Sequence, residues 1–213
     1  MSPYFVDTIY HLRMNLISYG DIIYPLNTNP NMEIEFDMKK IKLIVGLGNL
    51  GKNYQKSRHN VGFFLIDRLT NTDLKEDSKF EAFTNSIEIA GNKVTVAKPT
   101  TMMNDSGRSV KKIADYFNIN PSEILIAHDD LDIALGEYKI QFSKGPKIHN
   151  GIISIEQHLG TPDFWRLRIG VDNRTPEQRT HMSGADYVLN PMNSADLETV
   201  NKAISTVIEE FEK

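Results

Sequence analysis

The sequence predicts an α/β fold: a single domain with a twisted mixed β-sheet flanked by helices. Short apolar runs that read as buried strands recur at 42–45, 124–127 and 165–171. Between them lie segments whose apolar residues repeat at helical spacing, and such alternation marks a layered α/β domain. At 213 residues, 40% of them apolar, the chain is long enough to bury a sizeable core.

Composition narrows the function classes. The chain has no cysteine, which excludes disulfides, thiolate catalysis and cysteine-ligated zinc and fits a reducing cytoplasm. No apolar run reaches the roughly 18 residues of a membrane span. The net charge of −4 is uneven: residues 1–38 and residues 186–213 each carry −4, which leaves 39–185 at +4. A mildly basic body between acidic ends can meet phosphates locally.

Residues 1–38 are read as an N-terminal extension. His11, Arg13 and Asp21 interrupt its apolar residues, and no charged-then-apolar pattern with a small-residue cleavage site marks a signal peptide. Met32 or Met38 could be the initiator, so this leader is expected to be poorly ordered or dispensable, with one catalytic domain over 39–213.

The first strand, Lys42 to Val45, opens into a loop carrying Gly46, Gly48, Asn49, Gly51 and Tyr54 and closing at His59 and Asn60. Gly46 to Gly51 fits the dinucleotide fingerprint G-x-G-x-x-G. That motif needs a helix at its third glycine, yet residues 52–58 are polar and aperiodic. A catalytic loop fits better: Asn49 offers an amide and His59 an imidazole able to take a proton near neutral pH. A solvated helix cap is the plain reading of a lone histidine here. Val61, Phe64, Leu65 and Leu69 then give one apolar helix face.

Residues 71–79 read as a loop, and 83–90 and 93–98 as two strands joined at Gly91-Asn92. Asn104, Asp105 and Ser106 are candidate caps for a helix to Phe117, packed through Val110, Ile113, Ala114 and Phe117. The strand 124–127 is expected to end in His128-Asp129-Asp130-Leu131-Asp132. Those carboxylates could hold a divalent metal, or one acid could fix a histidine's tautomer. Glu137 to Phe142 alternates as a strand leading into a positively charged loop, 143–151, that opens onto a helix running to Leu159 and stopped by Gly160-Thr161-Pro162. In the last strand Arg166 and Arg168 share one face. Residues 172–184 read as a mobile surface loop, and Leu197, Val200, Ile204, Val207, Ile208 and Phe211 mark a terminal helix.

Four loops thus supply Asn49, His59, Asn104, Asp129, His149 and Asn150. Amides with one base and one acid suit hydrolysis without a covalent intermediate. No G-x-S-x-G elbow is present.

KLIVGLGN-x-G-x-x-Y-x-x-x-RHN-x-G, KP-x-x-x-MN-x-SG, HD-x-LD, HNG and RLRIG follow one another in register from about Lys40 to the C-terminus. Together they resemble the bacterial peptidyl-tRNA hydrolase family. The resemblance implies an enzyme that cuts the ester between peptide and tRNA in peptidyl-tRNA released prematurely from ribosomes, acting as a cytoplasmic monomer without cofactor or metal. His59 would be the base activating water, Asp129 would orient it and Asn49 would position substrate or water. Met103, Asn104 and Asn150 would bind the peptide and the reacting carbonyl, with Tyr54 near the nucleotide end and His149 beside the cleft. Lys98, Arg108, Lys111, Lys112, Lys139, Lys144, Lys147 and Arg168 are the candidates for tRNA phosphates.

Departures from the family pattern are Leu50 in place of proline, Met102 in place of phenylalanine, Gln141 in place of a basic residue, and a loop over 143–148 with fewer glycines. The extension 1–38 has no counterpart. The rival readings are a non-catalytic RNA-binding relative of the same fold, like the chloroplast splicing-factor branch, and the disfavoured dinucleotide-binding enzyme.

Overall fold

The structure, a computed structural model, describes residues 16–19, 22–25, 34–71 and 74–213. The chain divides into two compact units, 1–35 and 36–213. Within the first, strands β1 (Leu16–Tyr19) and β2 (Ile22–Pro25) pair antiparallel. Most of the leader, Met32 included, lies outside the described residues.

The second unit is built on seven strands: β3 (Leu43–Gly46), β4 (Lys75–Asp77), β5 (Ala82–Ile89), β6 (Asn92–Pro99), β7 (Ile124–Ala134), β8 (Tyr138–Phe142) and β9 (Trp165–Asp172). Their order is β4-β5-β6-β3-β7-β9-β8, with β6, β3, β7 and β9 parallel and the outer pairings antiparallel, so the sheet is mixed as expected. All four residues of β3 are buried because helices cover both faces. Ile44 joins the core shared with α1 (Val61–Thr70) and α6 (Ser194–Phe211), while Leu43 and Val45 join that of α2 (Ser106–Phe117) and α3 (Asn150–Leu159).

The helix ends follow the sequence signals in part. Gly160, at φ +74°, closes α3 where Gly160-Thr161-Pro162 predicts a stop, and Asn118 closes α2 in the left-handed region. None of Asn104, Asp105 and Ser106 caps α2 through a side chain; the Ser106 hydroxyl donates instead to the Met103 carbonyl. Residues 172–184 are not a plain loop. They contain α4 (Pro176–His181), opened by Thr175 and Gln178 in a reciprocal capping box, and lead into α5 (Gly184–Leu189). The expected loop 71–79 contains the edge strand β4.

The strand expected to end at Ala127 runs on to Ala134, because β9 continues to pair beside it through Asp129 and Asp130. Its other neighbour stops: β3 pairs with β7 only as far as Gly46 opposite Ala127. Beyond that point β7 has an open edge, and a crevice at the carboxyl ends of parallel strands is the usual ligand position in α/β sheets.

The glycines of the fingerprint serve packing. A methyl group on Gly46 would stand 2.1 Å from the Gly62 carbonyl, so these glycines bring α1 against the end of β3. The helix starts at Val61, ten residues after Gly51, so the dinucleotide motif lacks its helix.

At the start of this unit, Phe36 lays its ring edge-on against Trp165 at 5.1 Å and near Phe211 at 6.1 Å. Asp37 caps a short turn, Met38–Lys40, and Met38 is buried. These residues, at the end of the expected extension, pack with the folded body.

Candidate active site

The open edge of β7 presents Asp129 to two histidines from different parts of the chain. His59 sits in a single 3-10 turn, Arg58–Asn60, and its Nδ1 is 2.7 Å from Asp129 Oδ1. His149, just before α3, brings Nε2 to 3.0 Å from the same oxygen. Asp129 and His149 are buried, and the His59 side chain is 12% exposed, so only His59 retains an edge toward solvent.

The hydrogen bonds fix the proton positions. The Ile152 amide donates to His149 Nδ1, so the His149 proton is on Nε2 and donates to Asp129. The carboxylate also accepts from His59 Nδ1–H, which leaves the lone pair of His59 on Nε2, where a base needs it. Burial pulls the His59 pKa down, but the Asp129 charge and hydrogen bond outweigh it and hold the imidazole above its ordinary value of 6.5. Asp129 is driven the other way: burial opposes ionisation, yet the two histidines hold its carboxyl far below the usual range.

His128 lies under this pair, with its ring 4.9 Å from that of His149 and its Nδ1–H donating to the Asp129 carbonyl. Burial and then the neighbouring His149 push it well below the ordinary histidine value, so it is a neutral support for the strand.

Asn49 is buried, and its carboxamide oxygen accepts from the Met103 amide at 2.9 Å, which turns its NH₂ group outward as a donor. Sequence reasoning missed how this loop is held. Asn60 makes two 2.9 Å bonds to the backbone of Asn49, one to N–H and one to C=O. The adjacency of Asn60 to His59 was the available signal.

Met103 is buried, and a methyl group on Gly151 would meet its sulfur at 2.6 Å and His149 at 3.1 Å, so the second and fourth loops abut. Asn104 and Asn150, each beside one of these residues, are exposed. Tyr54 is half-buried in the turn Lys52–Tyr54 and makes no hydrogen bond to the cluster.

The acidic run does not converge on one point. Asp129 serves the histidines, Asp130 holds Arg168 at 2.7 Å, and Asp132 faces Lys147 at 3.5 Å. Among the described residues, the histidine and carboxylate atoms close enough to share an ion are those of His59, Asp129 and His149, within 4.8 Å of one another. Ligands of a tetrahedral zinc stand roughly 3.3 Å apart, whereas the 2.7 Å contact here is a hydrogen bond.

Arg168, grouped by its sequence with the phosphate contacts, is an internal side chain: it is buried, paired with Asp130 and bonded to Gln141. Lys98 pairs with Asp67, Arg108 and Lys112 share Glu81, and Lys111 pairs with Asp115. Lys139 and Lys144 are exposed and make no ion pair among the described residues.

An α/β sheet whose open strand edge holds an imidazole against a buried carboxylate is the arrangement of a hydrolase of the general-base class. The sequence profile of the peptidyl-tRNA hydrolase family matches residues 43–213, and this chain belongs to that family. It is 42% identical to the peptidyl-tRNA hydrolase of Francisella tularensis subsp. holarctica over 174 residues, 80% of this chain and 89% of that one. Identity to the Lactiplantibacillus plantarum peptidyl-tRNA hydrolase is 39% over 170 residues, 79% and 89% of the two chains. Its fold is similar to the crystal structure of the Acinetobacter baumannii peptidyl-tRNA hydrolase, with TM-score 0.72 and 35% identity over 83% of this chain and 89% of that one.

Proposed function

We propose that this chain hydrolyses the ester joining peptide to tRNA in peptidyl-tRNA released from ribosomes, and so recycles tRNA. The observation that carries the reading is the single Asp129 oxygen that accepts from both His59 Nδ1 and His149 Nε2. It leaves His59 Nε2 as an unprotonated base at the mouth of the crevice.

In this mechanism His59 Nε2 takes a proton from water as the water oxygen attacks the ester carbonyl carbon. Asp129 stabilises the imidazolium that forms. Negative charge collects on the carbonyl oxygen, where carboxamide N–H donors from Asn49, Asn104 and Asn150 would receive it. The bond to the ribose oxygen then breaks, and that oxygen takes the proton from His59. An ester is an activated acyl group, so a positioned base worth about 10²–10⁴-fold, together with such donors, is enough without a covalent intermediate.

Met103 and His149 would line the peptide side and Tyr54 the nucleotide side. For the tRNA the reading uses Lys139 and Lys144 directly. Lys98, Arg108, Lys111, Lys112 and Lys147 would exchange their carboxylates for phosphates, since exposed ion pairs are worth only about 0–1 kcal/mol. It also places the protein in the cytoplasm, where ribosomes release the substrate, as a monomer with residues 39–213 forming the catalytic domain.

The test is release of peptide from an N-acyl-aminoacyl-tRNA by the wild type and by His59→Ala. The variant is expected to fold and to lose about 10²-fold or more of kcat. Retention of more than about a tenth of wild-type kcat removes His59 as the base. Tight tRNA binding without turnover in the wild type would instead favour the RNA-binding relative.

A further inference from the structure

We infer that Arg58 is a positioning residue that ties the C-terminal helices to the turn carrying His59 and thereby sets where the imidazole stands. The inference rests on His59 being the base, as proposed above.

The 3-10 turn Arg58–Asn60 has buried anchors at both ends and, in the middle, an imidazole that keeps only an edge toward solvent. On one side Asn60 grips the backbone of Asn49. On the other, Arg58 Nη2 is 2.7 Å from Asp196 Oδ2 in α6, with both side chains 7% exposed. The same guanidinium lies 4.0 Å over the ring of Tyr187 in α5, and its Nη1 reaches the Asn190 carbonyl at 3.5 Å. The backbone repeats the connection: Met192 N–H donates to the Lys56 carbonyl at 2.8 Å, and Ser57 bridges Pro191 antiparallel.

The partners of Arg58 are themselves fixed. Asn173 Nδ2 donates to the second Asp196 oxygen at 2.9 Å, and the Tyr187 hydroxyl bonds Asn173. A buried charge is costly unless paired, and an apolar side chain would fill the same space without that cost. What guanidinium adds is direction: a planar fork and a flat face that accept one arrangement of carboxylate and ring. Nothing in the proposed proton transfers uses Arg58. Its consequence is geometric, because the residue beside it carries the base, and a displacement of about 1 Å in a reacting group can cost about 10²-fold in rate.

The test measures kcat and KM on an N-acyl-aminoacyl-tRNA for Arg58→Lys, Arg58→Met and Asp196→Asn, each checked for folding by circular dichroism. The His59 proton shared with Asp129 is followed by proton NMR in the same proteins. Expected in a folded variant are a kcat lowered about 10–100-fold, KM within about twofold, a shifted or broadened His59 resonance, and partial recovery with lysine over methionine. Asp196→Asn keeps the shape of the pair, so the question stays answerable if Arg58→Met does not fold.

A folded variant with unchanged kcat, a loss confined to KM, or a lowered kcat with an undisturbed His59 resonance would each overturn the inference. If the wild type releases no peptide, the proposed function fails. The resonance then still decides whether Arg58 places the ring: unmoved in every folded variant, it overturns the inference on its own.

Discussion

The two sides of the crevice are built differently. On the base side, His59 is bonded to a buried carboxylate, and that carboxylate is held by a second buried histidine. On the other side Asn104 and Asn150 stand exposed, and only Asn49 has its amide oxygen committed. The difference follows from what each group must do. A base works only in one protonation state and one orientation, so its surroundings have to be fixed beforehand. A group that grips substrate can remain hydrated until the substrate displaces its water, and it then gains strength in the drier site.

The most direct way to break the fixed side is Asp129→Asn. It removes the charge that raises the His59 pKa and can turn an NH₂ donor toward the two imidazole N–H groups that the carboxylate accepts. A fall in kcat of about 10²–10³-fold is expected. The pH profile gives the sign. Neutral His59 is the active form, and its pKa lies above 6.5, so wild-type activity should fall as pH drops through a midpoint above 6.5. In Asp129→Asn that limb should move to lower pH. A wild-type rate that is flat from about pH 5 to 8 would falsify the base assignment.

The exposed side should respond less, because three carboxamides share the oxyanion and the loss of one leaves two donors. Asn104→Ala removes one donor to the substrate and is expected to cost about tenfold in kcat/KM, or about 1.4 kcal/mol. Asn49→Ala should cost more, because it also strands the Met103 amide in a buried position. Kinetic parameters for the two variants check the ordering; equal losses would mean that the bond from the Met103 amide to Asn49 adds nothing to the site.

The same contrast governs what could be read from sequence. Apolar periodicity placed β3, α1 and β9 to within a residue or two, because burial on a sheet face or helix face repeats along the chain. It missed β4, whose Lys75-Glu76-Asp77 has no apolar face and is a strand only through pairing with β5. It also missed α4, although Thr175-Pro176-Glu177-Gln178 is a legible capping box with proline at the first turn. Polar residues stopped the β7 reading at Ala127, yet His128, Asp129 and Asp130 remain in the strand because their side chains find partners. The site residues were legible as types at loop positions. The contacts among them were not, since His59 and Asp129 are 70 residues apart and only the folded sheet brings them to one edge.

A smaller effect tests where the folded unit begins. Phe36 packs its ring against Trp165, and Met38 is buried. A chain started at Met38 loses the first contact and keeps the second. Edge-on aromatic pairs add about 0.5–1.5 kcal/mol beyond their area, so this truncation should lower Tm by about 2–4 °C relative to a start at Met32 while leaving kcat unchanged. An unchanged Tm would mean that Phe36 contributes nothing to the body.

The smallest expected effect separates two cations that look alike in sequence. Lys144 is exposed with no ion pair among the described residues, whereas Arg168 is buried against Asp130. A free surface lysine that meets a phosphate releases a counterion, and an internal arginine does not. Lys144→Gln should therefore weaken tRNA binding a few-fold and reduce the slope of log K against log salt by about 1, with kcat on bound substrate unchanged. Titrating tRNA binding at several salt concentrations gives both numbers. An identical slope in wild type and variant would place the tRNA away from the 143–148 loop and leave Lys139 and the basic side of α2 as the phosphate contacts.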